Sequence, residues 1–101
     1  MRAHGLGTLG EVRAEIDRID GALMALFAER LACVDRAAEL KPALGISAAA
    51  PSRAAAVIDG IREKADAAGF DPDVAAAMWM VLVEAMIARE QRSIGMDGGD
   101  G

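Results

Sequence analysis

Four basic residues occupy positions from which they could act together on an anionic ligand. Arg30 and Lys41 are eleven residues apart, about three helical turns, so a helix would carry both on one face. Arg53 opens the second predicted helix, and an antiparallel copy of the first helix could bring its Arg13 to the same place. Because each guanidinium can hold a carboxylate with two hydrogen bonds, this set predicts a pocket for a small dicarboxylate.

Arg30 is the most informative of the four, because it lies in an apolar seam. The seam recurs every three or four residues, through Leu9, Val12, Ile16, Ile19, Leu23 and Leu26, and then through Arg30, Cys33, Ala37 and Leu40. A buried guanidinium is unfavourable unless it is paired, and no obvious acidic neighbour lies on that face. The alternative is that the arginines are surface charges whose stems cover apolar surface.

The first predicted helix must position most of this set. It covers residues 8–41, with Thr8 and Glu11 as a capping box and Pro42 as its expected end. Its length would be on the order of 50 Å at about 1.5 Å per residue. No other segment is long enough to cover it, so its seam is expected to pack against a second copy of the chain.

Two shorter helices are predicted after a loop over residues 42–50. The second helix starts near Pro51 and ends at Gly69, which suits a left-handed C-terminal cap. The third begins after Asp71 as N-cap and runs to about Ile94.

The third helix is apolar nearly all round over residues 74–88, which predicts that it is largely buried. Along one of its faces, Trp79, Val83, Met86 and Glu90 follow at steps of four, three and four. Glu90 is therefore in line with core residues, although a lone carboxylate near a helix end is more often a surface group.

The expected fold is all-α, with one long, one short and one medium helix in each chain. Residues 8–95 would form one helical domain, between disordered tails at residues 1–7 and 96–101. Two chains interlocked through their long helices would make an intertwined homodimer, a six-helix bundle.

Composition narrows the class of protein. The chain is 53% hydrophobic but only 3% aromatic, which favours close-packed helices, and its net charge of −5 argues against a nucleic-acid surface. The single cysteine, Cys33, is expected to be a small buried hydrophobe, and with His4 as the only histidine no metal site is expected. No apolar run suggests a signal peptide or membrane span, so a cytoplasmic location is expected.

The first helix resembles that of the all-helical chorismate mutase family. The shared pattern is an arginine before an Ile-Asp-x-x-Asp type of run, then Leu-x-x-Leu-x-x-Glu-Arg, then a lysine eleven residues on. Here these are Arg13, the run at 16–20, Glu29 with Arg30, and Lys41. The resemblance continues through Arg53 and a third helix with an apolar start, and it covers roughly residues 9–94.

The resemblance implies an intertwined dimer that needs no cofactor or metal and has two sites for chorismate or a close relative. Arginines would hold the substrate carboxylates, and Lys41 would bond a carboxylate and the ether oxygen whose bond breaks. In the family a side chain of the third helix, usually Gln, donates to the same oxygen; here it is Glu90. The implied substrate-binding residues are Arg13 of one chain with Arg30, Lys41, Arg53, Met86 and Glu90 of the other, and the implied catalytic residues are Lys41, Glu90 and Arg30.

That chemistry suits the residues present. The Claisen rearrangement of chorismate to prephenate needs a folded substrate and positive charge or donors at the ether oxygen, without a nucleophile. Lys41 could supply the charge directly. Glu90 could donate only when protonated, since an ionised carboxylate only accepts hydrogen bonds. Activity is therefore expected to fall as pH rises and Glu90 loses its proton.

Two departures from the family pattern leave the identity of the substrate open. A loop carboxylate and a Glu after the second-helix arginine usually contact the ring hydroxyl, but these positions are Ala50 and Ala54. The stretch around Arg53 also resembles isochorismate-pyruvate lyases of salicylate synthesis and mutases of 4-amino-4-deoxychorismate. A non-catalytic helical dimerisation module is a third hypothesis.

Overall fold

The computed structural model describes residues 3–47 and 51–94, which form three α-helices and a short 3₁₀ turn. The helices are α1 (Leu9–Leu44), α2 (Pro51–Ala68) and α3 (Pro72–Ile94), and the 3₁₀ turn at Ala3–Gly5 lies in the predicted N-terminal tail. The predicted C-terminal tail lies outside the described residues. The prediction of an all-α chain with one long, one short and one medium helix is confirmed.

The N-terminus of α1 is capped as its sequence predicts. The Thr8 hydroxyl accepts a hydrogen bond from the backbone N–H of Glu11 at 3.1 Å. In return, the Glu11 carboxylate accepts from the backbone N–H of Gly7 at 3.2 Å, one residue earlier than in the usual reciprocal box. The first bond satisfies one of the backbone donors that the helix itself leaves without a partner at this end, and the second holds the residue before the cap.

The predicted end of the first helix at Pro42 is wrong, because α1 continues through the proline to Leu44. Proline removes one backbone hydrogen bond, and in the last turn that single loss does not stop the helix. The true stop is Gly45, whose φ of 69° is left-handed. Its N–H donates to the carbonyl of Pro42 at 3.1 Å, and the N–H of Ile46 donates to that of Lys41 at 3.1 Å.

The junction between α2 and α3 follows the predicted cap residues. Gly69 ends α2 with a φ of 77°, and the N–H of Phe70 donates to the carbonyl of Ala65 at 2.8 Å. The Asp71 carboxylate then accepts from the N–H of Asp73 at 2.9 Å and starts α3. These two caps make the chain reverse within three residues, and α2 packs along α3.

The described chain forms two compact units, divided within α1 after Cys33. The second unit has a small apolar core of four buried alanines: Ala38, Ala65, Ala75 and Ala76. Among the described residues no large side chain is fully buried. The first unit exposes most of the predicted seam, with Leu9, Ile16, Ile19, Leu23 and Leu26 each 43–62% exposed.

Two burial predictions are wrong for a single chain. The third helix is not largely buried, since Val81 is 70% exposed and Val74, Met78 and Met80 are about half exposed. Packing against α2 covers only part of a helix that is apolar on all sides. Cys33 is likewise exposed, in line with the exposure of the seam to which it belongs.

Neither described range contains a helix of the length and apolar character needed to cross a lipid bilayer.

Candidate functional site

Lys41 and Glu90, two predicted site residues that are 49 positions apart in the sequence, meet in the second unit. Lys41 lies in the last turn of α1 and Glu90 in the C-terminal part of α3. The Lys41 Nζ donates to Glu90 Oε2 at 2.6 Å, with the two side chains 18% and 8% exposed. This is the most deeply buried ion pair among the described residues.

The pair leaves Lys41 with unused capacity for hydrogen bonding. An ammonium group carries three N–H donors, of which one is directed at Glu90. In its ionised form the Glu90 carboxylate balances the charge of Lys41, which favours burial of the two groups together. The other two donors can bind an anion or an ether oxygen, and little solvent is present to weaken them.

A second ion pair joins the same two helices beside the first. Arg89 of α3 donates from Nε and Nη2 to the two carboxylate oxygens of Asp35 in α1, at 2.8 and 3.0 Å. Both side chains are 45% exposed. The hydrogen bonds from Arg89 lower the pKa of Asp35 below its usual value, and the Asp35 carboxylate raises the pKa of Arg89.

An open cleft of about 380 Å³ lies along this contact between α1 and α3. It is lined by Asp35, Ala38, Glu39, Arg89, Glu90 and Arg92. Its lining thus combines both members of the Asp35–Arg89 pair with Glu90, the acidic member of the other pair, and with the buried Ala38. Glu90 therefore faces the cleft while its carboxylate holds Lys41.

The other predicted site residues of the second unit lie on α2 and α3. Arg53 is exposed in the first turn of α2, and the described residues offer it no hydrogen bond or ion pair. Met86 is partly buried one helical turn before Glu90, and Ala54 is partly buried beside Arg53. Ala50, the other departure from the family pattern, lies outside the described residues.

Arg13 and Arg30 belong to the first unit. Arg13 is exposed, and Arg30 is partly buried as its seam position predicts. Arg30 has no ion pair or hydrogen bond within the described part of the chain. Its partial burial agrees with its seam position, and the prediction that an anionic ligand supplies its missing partner stays a prediction.

Sequence reasoning missed Asp35 and Arg89. They are 54 residues apart, and neither lies on the predicted seam. Only their places in the sequence could have pointed to them. Arg89 directly precedes Glu90, and Asp35 lies two residues after the seam position Cys33. The described ranges contain no group of three or more His, Cys, Asp or Glu side chains that could hold a metal ion.

Comparison with known proteins agrees with this architecture. Residues 12–91 match the family described as chorismate mutase type II. A chorismate mutase from Methanocaldococcus jannaschii is 33% identical over 76 residues, which cover 75% of this chain and 77% of the relative. T-proteins from Enterobacter agglomerans and Haemophilus influenzae are each 36% identical over 66 residues, 65% of this chain but only 18% of the relatives. No solved structure matches significantly.

The family match covers most of the chain and includes every predicted site residue from Arg13 to Glu90. The chain is therefore an all-helical isomerase that belongs to the chorismate mutase type II family. The resemblance inferred from the first helix is confirmed.

Proposed function

We propose that this protein catalyses the rearrangement of chorismate to prephenate at a site built around Lys41. The observation that carries the proposal is the Lys41–Glu90 pair, which places a lysine with two remaining donors beside a buried carboxylate. Family membership supplies the reaction class, since the relative from Methanocaldococcus jannaschii is itself named chorismate mutase.

The reaction requires little covalent chemistry from the protein. In one pericyclic step the ether C–O bond of chorismate breaks while a C–C bond forms between the enolpyruvyl arm and the ring. Catalysis consists of holding the arm over the ring and stabilising the negative charge that grows on the ether oxygen. A preorganised ammonium group such as that of Lys41 suits the second task.

The three arginines suit the first task. Arg30 is partly buried without a counter-ion, and Arg53 and Arg13 are exposed without one in the described residues. Guanidinium groups bind carboxylates with two parallel hydrogen bonds, which fixes orientation as well as position. In the proposed site, Arg30 and Arg53 of one chain and Arg13 of the second chain hold the two carboxylates of chorismate, with Met86 as an apolar wall.

Glu90 has two roles that depend on its proton. When ionised it accepts from Lys41, as in the described pair, and so orients the ammonium group. When protonated it can also donate a hydrogen bond to the ether oxygen. An ionised Glu90 would oppose the charge that develops on that oxygen, so the protonated form is the more active one.

Dimerisation is part of the proposal because a single chain leaves its apolar surface uncovered. Among the described residues the buried apolar ones are four alanines, whereas five large seam residues of α1 are 43–62% exposed. Covering each half-exposed side chain contributes on the order of 1 kcal/mol. A second copy, packed along the seam of Ile16, Ile19 and Leu23, accounts for this surface and brings Arg13 to the partner's site.

A second candidate function follows from the two alanines. Ala50 and Ala54 stand where family members usually carry carboxylates for the ring hydroxyl, and a methyl group cannot accept a hydrogen bond. A substrate with a different ring substituent is therefore the specific alternative. Isochorismate, cleaved to salicylate and pyruvate, and 4-amino-4-deoxychorismate, rearranged to the amino analogue of prephenate, are the two compounds that fit.

The test is a turnover assay with the three substrates supplied separately and the products identified by mass. Prephenate formed from chorismate well above the uncatalysed rate supports the first function. Preference for either alternative substrate identifies Ala50 and Ala54 as markers of a changed specificity. Absence of product from all three would contradict both functions and favour a helical dimerisation module.

A further inference from the structure

The Asp35–Arg89 pair is placed to do more than join two helices. Its two hydrogen bonds are parallel and of normal length, and each end is attached to a regular helix. Most exposed ion pairs contribute little because both side chains must be ordered to form them, but a bidentate Arg–carboxylate pair also imposes an orientation. Orientation is therefore what this pair can supply.

Its neighbours in sequence show what it can orient. On α3, Arg89 directly precedes Glu90, and successive helical residues point about 100° apart around the axis. On α1, Asp35 and Lys41 are six residues apart, about 9 Å along the axis. The buried Ala38, 4% exposed, lies midway between them. Arg89 and Glu90, which are adjacent on α3, thus contact two separate residues of α1, Asp35 and Lys41. The small buried Ala38 lies between these two contacts.

Two ion pairs between α1 and α3 fix a rotation that one ion pair alone leaves free. Packing against α2 restrains α3 within the second unit, but with the Lys41–Glu90 pair alone the packed α2 and α3 can turn relative to α1 while the flexible lysine follows. With Arg89 held by Asp35, a rotation that keeps one pair breaks the other. We infer that the Asp35–Arg89 ion pair is a positioning device that sets the rotation of α3 and thereby aims Glu90 and the Lys41 ammonium group.

This inference rests on the proposed function for its catalytic consequence. The ammonium group must lie within hydrogen-bond distance of the ether oxygen, and a displacement of about 1 Å in such a site can reduce the rate roughly a hundredfold. Asp35 and Arg89 need not touch the substrate to matter. Their loss should lower kcat more than it raises KM, because the arginines assigned to the carboxylates do not depend on this pair.

The first measurement compares kcat and KM of the full-length protein with those of Asp35→Asn, Arg89→Gln and the double variant. We expect kcat to fall about three- to tenfold in each, with KM changed less than about twofold, and the double variant to be no worse than either single one. The exchanged pair, Asp35→Arg with Arg89→Asp, should recover part of the lost kcat.

The matched control is the exposed ion pair between Arg62 of α2 and Asp73 of α3, whose atoms are 2.6 Å apart. It also joins two helices, but at the other end of α3 from Glu90. Arg62→Gln should leave kcat unchanged. Equal effects of Arg62→Gln and Asp35→Asn, or no loss of kcat in Asp35→Asn, would overturn the inference.

A second measurement does not depend on turnover. The coupling between Lys41 and Glu90 is obtained from denaturant unfolding of Lys41→Met, Glu90→Gln and both, at one fixed protein concentration. The same cycle is then repeated in the Asp35→Asn background, where we expect the coupling to fall to about half or less. Unchanged coupling would contradict the positioning role even if the enzyme is active. Reduced coupling in a chain inactive on all three substrates would support it while the proposed function fails.

Discussion

The two compact units use their helices in opposite ways. The first, residues 3–33, exposes large apolar residues along one seam, and its ion pair between Arg18 and Glu15 joins residues only three positions apart. The second, residues 34–94, buries small alanines and joins different helices through charged pairs. The second unit thus takes its tertiary structure from contacts between its own helices, whereas the first leaves its apolar seam exposed.

The contrast also divides the proposed chemistry. Arg30, in the first unit, is a partly buried cation without a counter-ion among the described residues. Lys41, in the second, is a partly buried cation that already has a counter-ion. In the proposed site, Arg30 of the first unit therefore supplies an unpaired charge for the ligand. Lys41 of the second unit supplies hydrogen-bond donors that its contact with Glu90 already orients. Substitutions that affect one unit only can separate these two contributions.

The largest effect is expected from a charge placed in the seam of the first unit. Leu23→Glu, at a side chain that is 43% exposed in one chain, would bury an unpaired carboxylate in the proposed dimer contact. We expect the dissociation constant of the dimer to rise roughly a thousandfold and turnover to be lost with it. Sedimentation velocity over a range of concentrations measures the first effect.

The control for this variant is Ala28→Glu, which places the same charge on the opposite face of α1. It should leave both the association state and the turnover unchanged. A Leu23→Glu protein that remains dimeric at low concentration would show that the seam is not the dimer contact.

Next in size is the loss of the unpaired cation. Arg30→Leu restores the apolar seam, so the folded dimer should be at least as stable as the parent. Turnover should fall about a hundred- to a thousandfold, because one carboxylate of the substrate loses its partner. Arg18→Leu, at an exposed position of the same helix, is the control and should keep full activity. Unchanged turnover in Arg30→Leu would favour a dimerisation module whose arginine has no ligand.

A smaller effect is expected at the centre of the second unit. Glu90→Gln replaces the carboxyl group that contacts Lys41 with an amide, which keeps an acceptor for the ammonium group and adds N–H donors that can reach the ether oxygen. Turnover at neutral pH should therefore rise about tenfold above that of the parent. Glu39→Gln, at another carboxylate that lines the cleft, should keep the parent rate. An unchanged rate in Glu90→Gln would remove Glu90 from the mechanism.

The features that sequence predicted well are those set by neighbouring residues. Thr8, Gly69 and Asp71 cap helices through groups within a few positions of themselves, and each does so in the structure. The prediction that α1 ends at Pro42 was wrong because the effect of a proline depends on how much of the helix follows it. Here one turn or less follows. The prediction that α3 is largely buried was wrong because an apolar sequence on all sides of a helix does not tell which of its sides packs against α2.

The residues of the candidate site also differ in whether the sequence could predict them. The closeness of Lys41 and Glu90 was expected from the family resemblance, and the seam periodicity singled out Arg30. The Asp35–Arg89 pair was not expected, because a contact between residues 54 positions apart leaves no periodic trace in one sequence. Such a contact is determined by how α3 is rotated against α1, which only the assembled helices define.

The smallest predicted effect is the dependence of that unexpected pair on pH. The hydrogen bonds from Arg89 lower the pKa of Asp35 in the folded protein. A lowered carboxyl pKa contributes stability above the unfolded pKa of about 3.9, and this contribution is lost as pH falls through the still lower folded value. The parent should therefore unfold at a higher temperature than Asp35→Asn from pH 8 to about pH 5, and the difference should shrink below about pH 4. Thermal unfolding at fixed protein concentration measures it, with Glu39→Gln, whose carboxylate pairs among the described residues with Arg36 of the same helix, as the control. A difference that stays constant down to pH 2 would show that the Asp35 charge does not stabilise the fold, and that Asp35→Asn acts through packing alone.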